Sequence, residues 1–442
     1  MRVKLAMSLM LLSSAGTAVA QLASPAPAPA PAAPQNSPAV GAPKVDPLAP
    51  QGTVPAPAEA RPAPVPPPVV ELPPAVWQPA QAQELLAYVK NIGREGLDPR
   101  DYDPALLEVA LRGGDGATIS RAATEIWNKV VRDLALGHVR GSARVQWFVR
   151  DGDLPEGRTR ALLDQALAGA GIAPTLDGLL PTHPQYGSLR AALAMPGKDA
   201  ATLGKIRLNM DRWRWLPRDL GSRYIIVNVP GEHATLVENS VTRWKHRAIA
   251  GAVKTPTPQL SVMATGVHLN PWWEVPKSLS ASVAGKPGYV AVKGKDGKVQ
   301  RWRQPPGPAN ALGKIKFTMA NPHAIFLHDT NNRGLFDSQN RFFSHGCIRT
   351  ENILDLAAEL LSDDGGDWDR SKIDAALASK KTVMADFVKP VPVYIVYFSV
   401  AALTDGNIVR YTDLYRRDAP VLAALNDRDG GAKPAVRSAS TR

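Results

Sequence analysis

Phe343-Ser344-His345-Gly346-Cys347-Ile348-Arg349 contains the only cysteine of this 442-residue chain. A thiol is nucleophilic only as the thiolate, so a working cysteine needs a base or a positive field beside it. Ile325-Phe326-Leu327-His328-Asp329-Thr330, just upstream, reads as a neighbouring strand that supplies the base, His328. Gly346 leaves its backbone N–H unobstructed, and a helix-like pattern opening near Thr350 adds positive potential. Together these are the parts of a thiol acyl-transfer site. A single cysteine is otherwise most simply a buried, inert side chain. Ser344, His345 and Arg349 argue against that here, because an inert thiol needs no such polar company.

Working outward, alternating apolar runs predict strands over 224–229, 234–238, 241–250, 263–269, 324–328 and 391–400. Two helices, 352–361 and 370–377, interrupt them. A β-rich domain is therefore expected over 203–425, opening with a short amphipathic helix at Leu208–Pro217 and followed by a disordered tail over 427–442. The segment 277–312, rich in Gly, Lys and Pro, reads as a lid over the site. Residues 77–200 carry helical spacing instead, best seen in Ile119, Ala122, Ala123, Ile126, Val130, Val131 and Leu134. They predict a small helical scaffold with no chemical constellation of its own. The fold class is α+β, a helical N-terminal domain followed by a β-rich catalytic domain.

The first 20 residues have a basic start, a short apolar run and a small-residue end at Ala18-Val19-Ala20. They read as a secretory signal cleaved after Ala20, which places the chain in the periplasm. Membrane association follows only if that signal is retained. Residues 21–76 form a Pro/Ala-rich disordered linker, and 18 of the 41 prolines fall between 22 and 76. A formal charge of +12 suits an anionic wall polymer or phospholipid headgroups. No nucleic-acid motif is present.

These residues resemble the L,D-transpeptidase catalytic domain, also called YkuD, in which a histidine precedes a Ser-His-Gly-Cys-apolar-Arg run. Further stretches are similar to its large multidomain branch, typified by YcbB. They are Arg212-Trp213-Arg214-Trp215-Leu216-Pro217-Arg218, Leu269-Asn270-Pro271-Trp272-Trp273-Glu274-Val275-Pro276, Arg303-Gln304-Pro305-Pro306-Gly307 and Phe326-Leu327-His328-Asp329-Thr330. The resemblance covers roughly residues 80–425. It implies a Cys347 nucleophile, a His328 base oriented by the Asp329 backbone carbonyl, and an oxyanion held by backbone N–H groups of Gly346 and Cys347, with His345 beside them. Arg349, Ser344, Phe326, Trp272, Trp273 and Asn270 are the implied substrate-binding residues. Peptidoglycan stem peptides are the implied partners, with a carbapenem as acylating inhibitor and no metal or cofactor required.

Two departures stand out. Phe326 replaces a tyrosine that many relatives carry, so slower chemistry is expected. The interval from Gly197 to Lys205 is too short for the peptidoglycan-binding module that many long relatives insert. Competing readings are an L,D-carboxypeptidase, an enzyme linking an outer-membrane protein to the wall, and a non-catalytic wall-binding protein. A zinc site of His323, His328, His345 and Cys347 fits no zinc spacing.

Overall fold

The computed structural model describes residues 73–403 and 405–428, all within one compact unit, Glu71–Arg442. The expected signal, nearly all of the linker and the tail from 429 onward lie outside the described residues. Seven helices come first: α1 (Pro79–Lys90), α2 (Pro104–Gly113), α3 (Gly116–Leu136), α4 (Arg158–Gln165), α5 (Ile172–Asp177), α6 (Pro184–Ala194) and α7 (Ala200–Arg214). Local chemistry sets their starts. Asp115 and Asp199 cap α3 and α7, each accepting a backbone N–H three residues on, and Pro sits in the first turn of α1, α2 and α6. Of the apolar stripe predicted on α3, Ile119, Ala123, Ile126, Val130, Val131 and Leu134 are buried and Ala122 is half-buried, and Trp127 joins them in the core. Each large member adds about 1.5–3 kcal/mol by leaving water.

The strands follow: β1 (Arg223–Asn228), β2 (His233–Glu238), β3 (Val241–Gly251), β4 (Leu260–Leu269) and β5 (Trp273–Glu274). Next come α8 (Lys277–Val283), β6 (Val290–Lys293), β7 (Val299–Gln304), β8 (Ile315–Thr318), β9 (Leu327–His328), β10 (Phe342–Ser344) and β11 (Ile348–Thr350). The chain continues with α9 (Ile353–Ser362), α10 (Arg370–Ala378), β12 (Val383–Val396), β13 (Val400–Ala402), β14 (Ile408–Arg410) and α11 (Asp418–Leu425). Among the described residues, nine strands form one sheet in the order β10-β3-β11-β9-β8-β4-β12-β1-β2, and β2 also pairs with β3. The long β3 makes this closure. Its first half pairs with β2, and Ala248–Gly251 pair with β11 and β10. The enclosed core includes Ile225, Val267, Phe317, Leu327, Ile348, Leu356 and Val393.

Three differences from the sequence reading matter. The proposed break between 200 and 203 falls inside α7, whose residues join both regions. One apolar core runs from α1–α3 through Trp213 to Tyr224, Val237, Tyr394 and Phe398. Trp213 stacks on Phe398 at 4.4 Å between ring centres and on His183 at 4.2 Å. Second, the segment read as a loose lid is structured. It holds α8 and strands β6 and β7, which form a small sheet with the preceding β5. Third, the helix read at 352–361 does begin at Ile353, but strand β11 stands between it and Cys347, where positive potential from its start was expected. Its N-terminal partial charge therefore does not start beside Cys347.

Candidate active site

Register alone brings the two central side chains together. β9 and β11 are parallel, with Leu327 opposite Ile348 and His328 opposite Arg349. Side chains alternate along a strand, so Phe326, His328, Cys347 and Arg349 share one face while Leu327 and Ile348 enter the core. β8 extends the row, since Lys316 pairs with His328. The four side chains Phe326, His328, Cys347 and Arg349 line one cavity of about 600 Å³. Trp273, Glu274, Pro276 and Leu279 wall it from the β5–α8 side, and His323, Ser344 and His345 complete the rim.

His328 is buried, and its Nδ1 lies 2.5 Å from the Asp329 backbone oxygen. A carbonyl only accepts, so Nδ1 carries the proton and Nε2 remains the basic nitrogen. Burial pushes this histidine down to about 3, helped by the Arg349 and Lys316 charges and opposed by the Asp329 carbonyl. Asp329 is itself pinned. Its carboxylate accepts the Lys314 N–H at 2.9 Å and pairs with Arg333 at 3.0 Å. Burial pushes the Cys347 thiol up to about 11, against the pull of the Phe326 backbone and Lys316. At neutral pH the pair is thus thiol and neutral imidazole, with proton transfer left to the moment of attack. The resting thiol donates to the Ala324 carbonyl at 3.4 Å. No hydrogen bond joins it to His328 among the described residues.

The turn carrying Cys347 is tightly held. Gly346 adopts φ +114°, a conformation that side chains disfavour. Ser344 Oγ donates to the Cys347 carbonyl at 2.6 Å and accepts the Gly346 N–H at 3.1 Å. This corrects the expectation for Gly346, whose N–H is occupied and not aimed at an oxyanion. No hydrogen bond from the Cys347 N–H is found among the described residues. Ser344 is buried, and its hydroxyl serves the turn.

Arg349 lines the cavity half-buried, and its guanidinium makes no ion pair or hydrogen bond among the described residues. Trp273 walls the cavity, whereas Trp272 lies outside its lining, under the Arg303 guanidinium at 3.7 Å. Asn270 is a correction. Its backbone turns at φ +48°, and its amide donates to the carbonyls of Ala376, Leu377 and Lys381. It ties the end of α10 to β4 and faces no substrate. Lys316 escaped the sequence reading. Its ammonium sits 4.9 Å from the Phe326 ring centre, and burial lowers its pKa. A lysine between Ile315 and Phe317 in an apolar strand was the available signal. Phe148, from the helical region, stacks on His323 at 4.0 Å and so reaches the cavity rim.

Residues 222–393 match the YkuD family, described as the L,D-transpeptidase catalytic domain, and residues 74–193 match a family described as a scaffold domain. A putative L,D-transpeptidase of Haemophilus influenzae is 32% identical over 256 residues, which cover 52% of this chain and 51% of that protein. The chain thus spans about half the length of that relative. Among solved structures, an L,D-transpeptidase from Mycobacterium smegmatis is 11% identical with a TM-score of 0.21, covering 40% of this chain and 58% of the other. The catalytic domain of an E. faecium L,D-transpeptidase acylated by ertapenem is 13% identical with a TM-score of 0.22, covering 40% and 99%. Superpositions that loose carry no argument. The family matches rest on sequence.

Proposed function

We propose that the L,D-transpeptidase catalytic domain matched at 222–393 uses Cys347 to cross-link peptidoglycan stems. The observation that carries the reading is one cavity shared by a thiol, a buried imidazole with a free Nε2, and an unpaired guanidinium. In the reaction, His328 Nε2 takes the thiol proton as sulfur attacks the amide carbonyl between diaminopimelate and the terminal D-Ala of a donor tetrapeptide. The carbonyl π pair moves onto oxygen. Collapse of that oxyanion breaks the C–N bond, and the D-Ala amine leaves with the proton from His328. The side-chain amine of a second stem then attacks the thioester, gives its proton to His328, and releases the thiol with a 3→3 link formed. Arg349 holds a substrate carboxylate through its two-pronged geometry. The structured segment from β5 to β7 covers the donor.

The proposed place of work is the periplasm, reached through the N-terminal 20 residues. No helix among the described residues is long and apolar enough to cross a membrane. Disaccharide-tetrapeptides incubated with the protein should yield cross-linked dimers by mass spectrometry. Tripeptide products alone would favour carboxypeptidase activity, and transfer to a protein lysine would favour wall anchoring. A carbapenem should add its mass to the wild-type chain and not to Cys347→Ala. An adduct persisting on the alanine variant would place the nucleophile elsewhere.

A further inference from the structure

The loop between β3 and β4 runs beneath the nucleophile turn and is built around two threonine hydroxyls. Thr255 Oγ1 donates to the Ser344 carbonyl at 3.0 Å, beside the Ala252 N–H at 2.8 Å. Thr257 Oγ1 donates to the Gly346 carbonyl at 2.8 Å and accepts the Gly251 N–H at 2.9 Å. Thr257 is wholly buried. Its own carbonyl accepts from Arg417 at 2.9 Å, and that guanidinium lies over the rings of Tyr397 and Tyr415, 4.9 Å from each centre. Arg212 of α7 in turn donates to the Arg417 carbonyl at 3.2 Å. The loop is close-packed, since a Cβ on Gly251 would meet the Thr255 oxygen at 2.1 Å.

We infer that Thr257 is a positioning residue that aims the Cys347 N–H at the oxyanion. The Gly346 carbonyl and the Cys347 N–H are the two ends of one planar trans peptide, and they point in opposite directions. Fixing the oxygen on Thr257 therefore fixes where the hydrogen points. The Gly346 N–H is already taken by Ser344, while the Cys347 N–H has no partner among the described residues. Thr257 thus sets the open backbone donor carried by the nucleophile itself, and Arg417 ties that setting to α7. The inference rests on Cys347 accepting an acyl group, and on no particular wall peptide.

Two thiol reactions separate aiming from mere folding. With p-nitrophenyl acetate, sulfur bonds to the ester carbon, the oxygen takes the π pair, and p-nitrophenolate leaves. That path passes through an oxyanion. Alkylation by iodoacetamide displaces iodide at a saturated carbon and forms none. In the full chain, Thr257→Val should slow the p-nitrophenolate burst by about 10- to 100-fold, below the 10²–10³ cost of losing a donor outright. Its alkylation rate should stay within about twofold, and Thr257→Ser should restore the burst. The Thr257→Ser and Thr257→Ala pair gives the same contrast if the valine chain does not fold. An unchanged burst, or burst and alkylation falling in parallel, overturns the inference. A wild-type chain that alkylates but never takes the acetyl group overturns the acyl-transfer reading as well.

Discussion

Arg212–Arg218 carries three arginines and Ser344–Arg349 carries one, and their charges meet opposite fates. In the first, Arg212 reaches Asp418 at 2.8 Å, Arg214 reaches Tyr186 Oη at 2.8 Å and Asp211 at 3.4 Å, and Arg218 reaches the Ala135 and Arg214 carbonyls at 2.6 Å. In the second, Arg349 is half-buried beside Cys347 with no partner among the described residues. A buried charge without compensation is costly, so paired arginines become fixed joints of the structure. A partly solvated, unpaired one keeps its donors for an anion that arrives later. The first stretch joins helices to sheet. In the proposed reaction, the second holds a substrate carboxylate.

The sharpest break of this contrast is Arg214→Met. Asp211 would stay buried without the guanidinium paired with it, so a loss of about 3–5 kcal/mol is expected in the free energy of urea unfolding. Alkylation of Cys347 in the folded protein should not change. Stability near wild type would remove the joint from the account. Arg349→Gln should act the other way round, with little change in stability. Losing a charge-assisted contact worth about 1.5–3 kcal/mol should lower kcat/KM for tetrapeptide about 10- to 100-fold, chiefly through KM. A fall in kcat alone would deny Arg349 a binding role.

The smallest effect is in pH. Burial holds His183 and His233 down to about 4 and His328 to about 3. The unfolded chain, with histidines near 6.5, then binds more protons than the native one as pH falls through 6.5, and stability drops. His138 is also buried, but its bond to Asp133 holds it up at about 9. Its contribution is complete below 6.5 and fades as pH rises. Asp101, pushed up to about 6 by burial, adds a smaller offset in the same sense as His138. The net expectation is a loss of about 1 kcal/mol between pH 7 and 6. His183→Phe at the seam and His328→Phe in the cavity should flatten that slope equally, and only the second should abolish acylation. Unequal flattening would show that the two regions differ in burial as well as in partners.

Much of the site was legible because it is local. His328 ends one short strand, and Cys347 and Arg349 flank the first residue of its neighbour, so near spacing sets their common face. The α+β class followed from spacing that shifts from helical to alternating near residue 200. Asn270 and Gly346 misled for a shared reason. Each stands inside a motif, yet its polar groups are consumed by partners from the chain's own fold: the end of α10 for Asn270, Ser344 for the Gly346 N–H. The helix read at 352–361 forms as Ile353–Ser362, but Ile348–Thr350 complete the sheet before it and separate its start from Cys347. Lys316 and Thr257 belong to segments 31 and 90 residues before Cys347. Lys316 stands out only as a charge between Ile315 and Phe317, and the neighbours of neither residue say which distant group it reaches.

By itself the sequence determined which atoms could react and which segments would be helix or strand, because both depend on residue type and near spacing. Only the tertiary structure decided which charges are neutralised, which N–H remains open, and that α7 belongs to both halves. Those outcomes depend on partners far away in the chain, and a hydrogen bond or ion pair exists only when both ends arrive together.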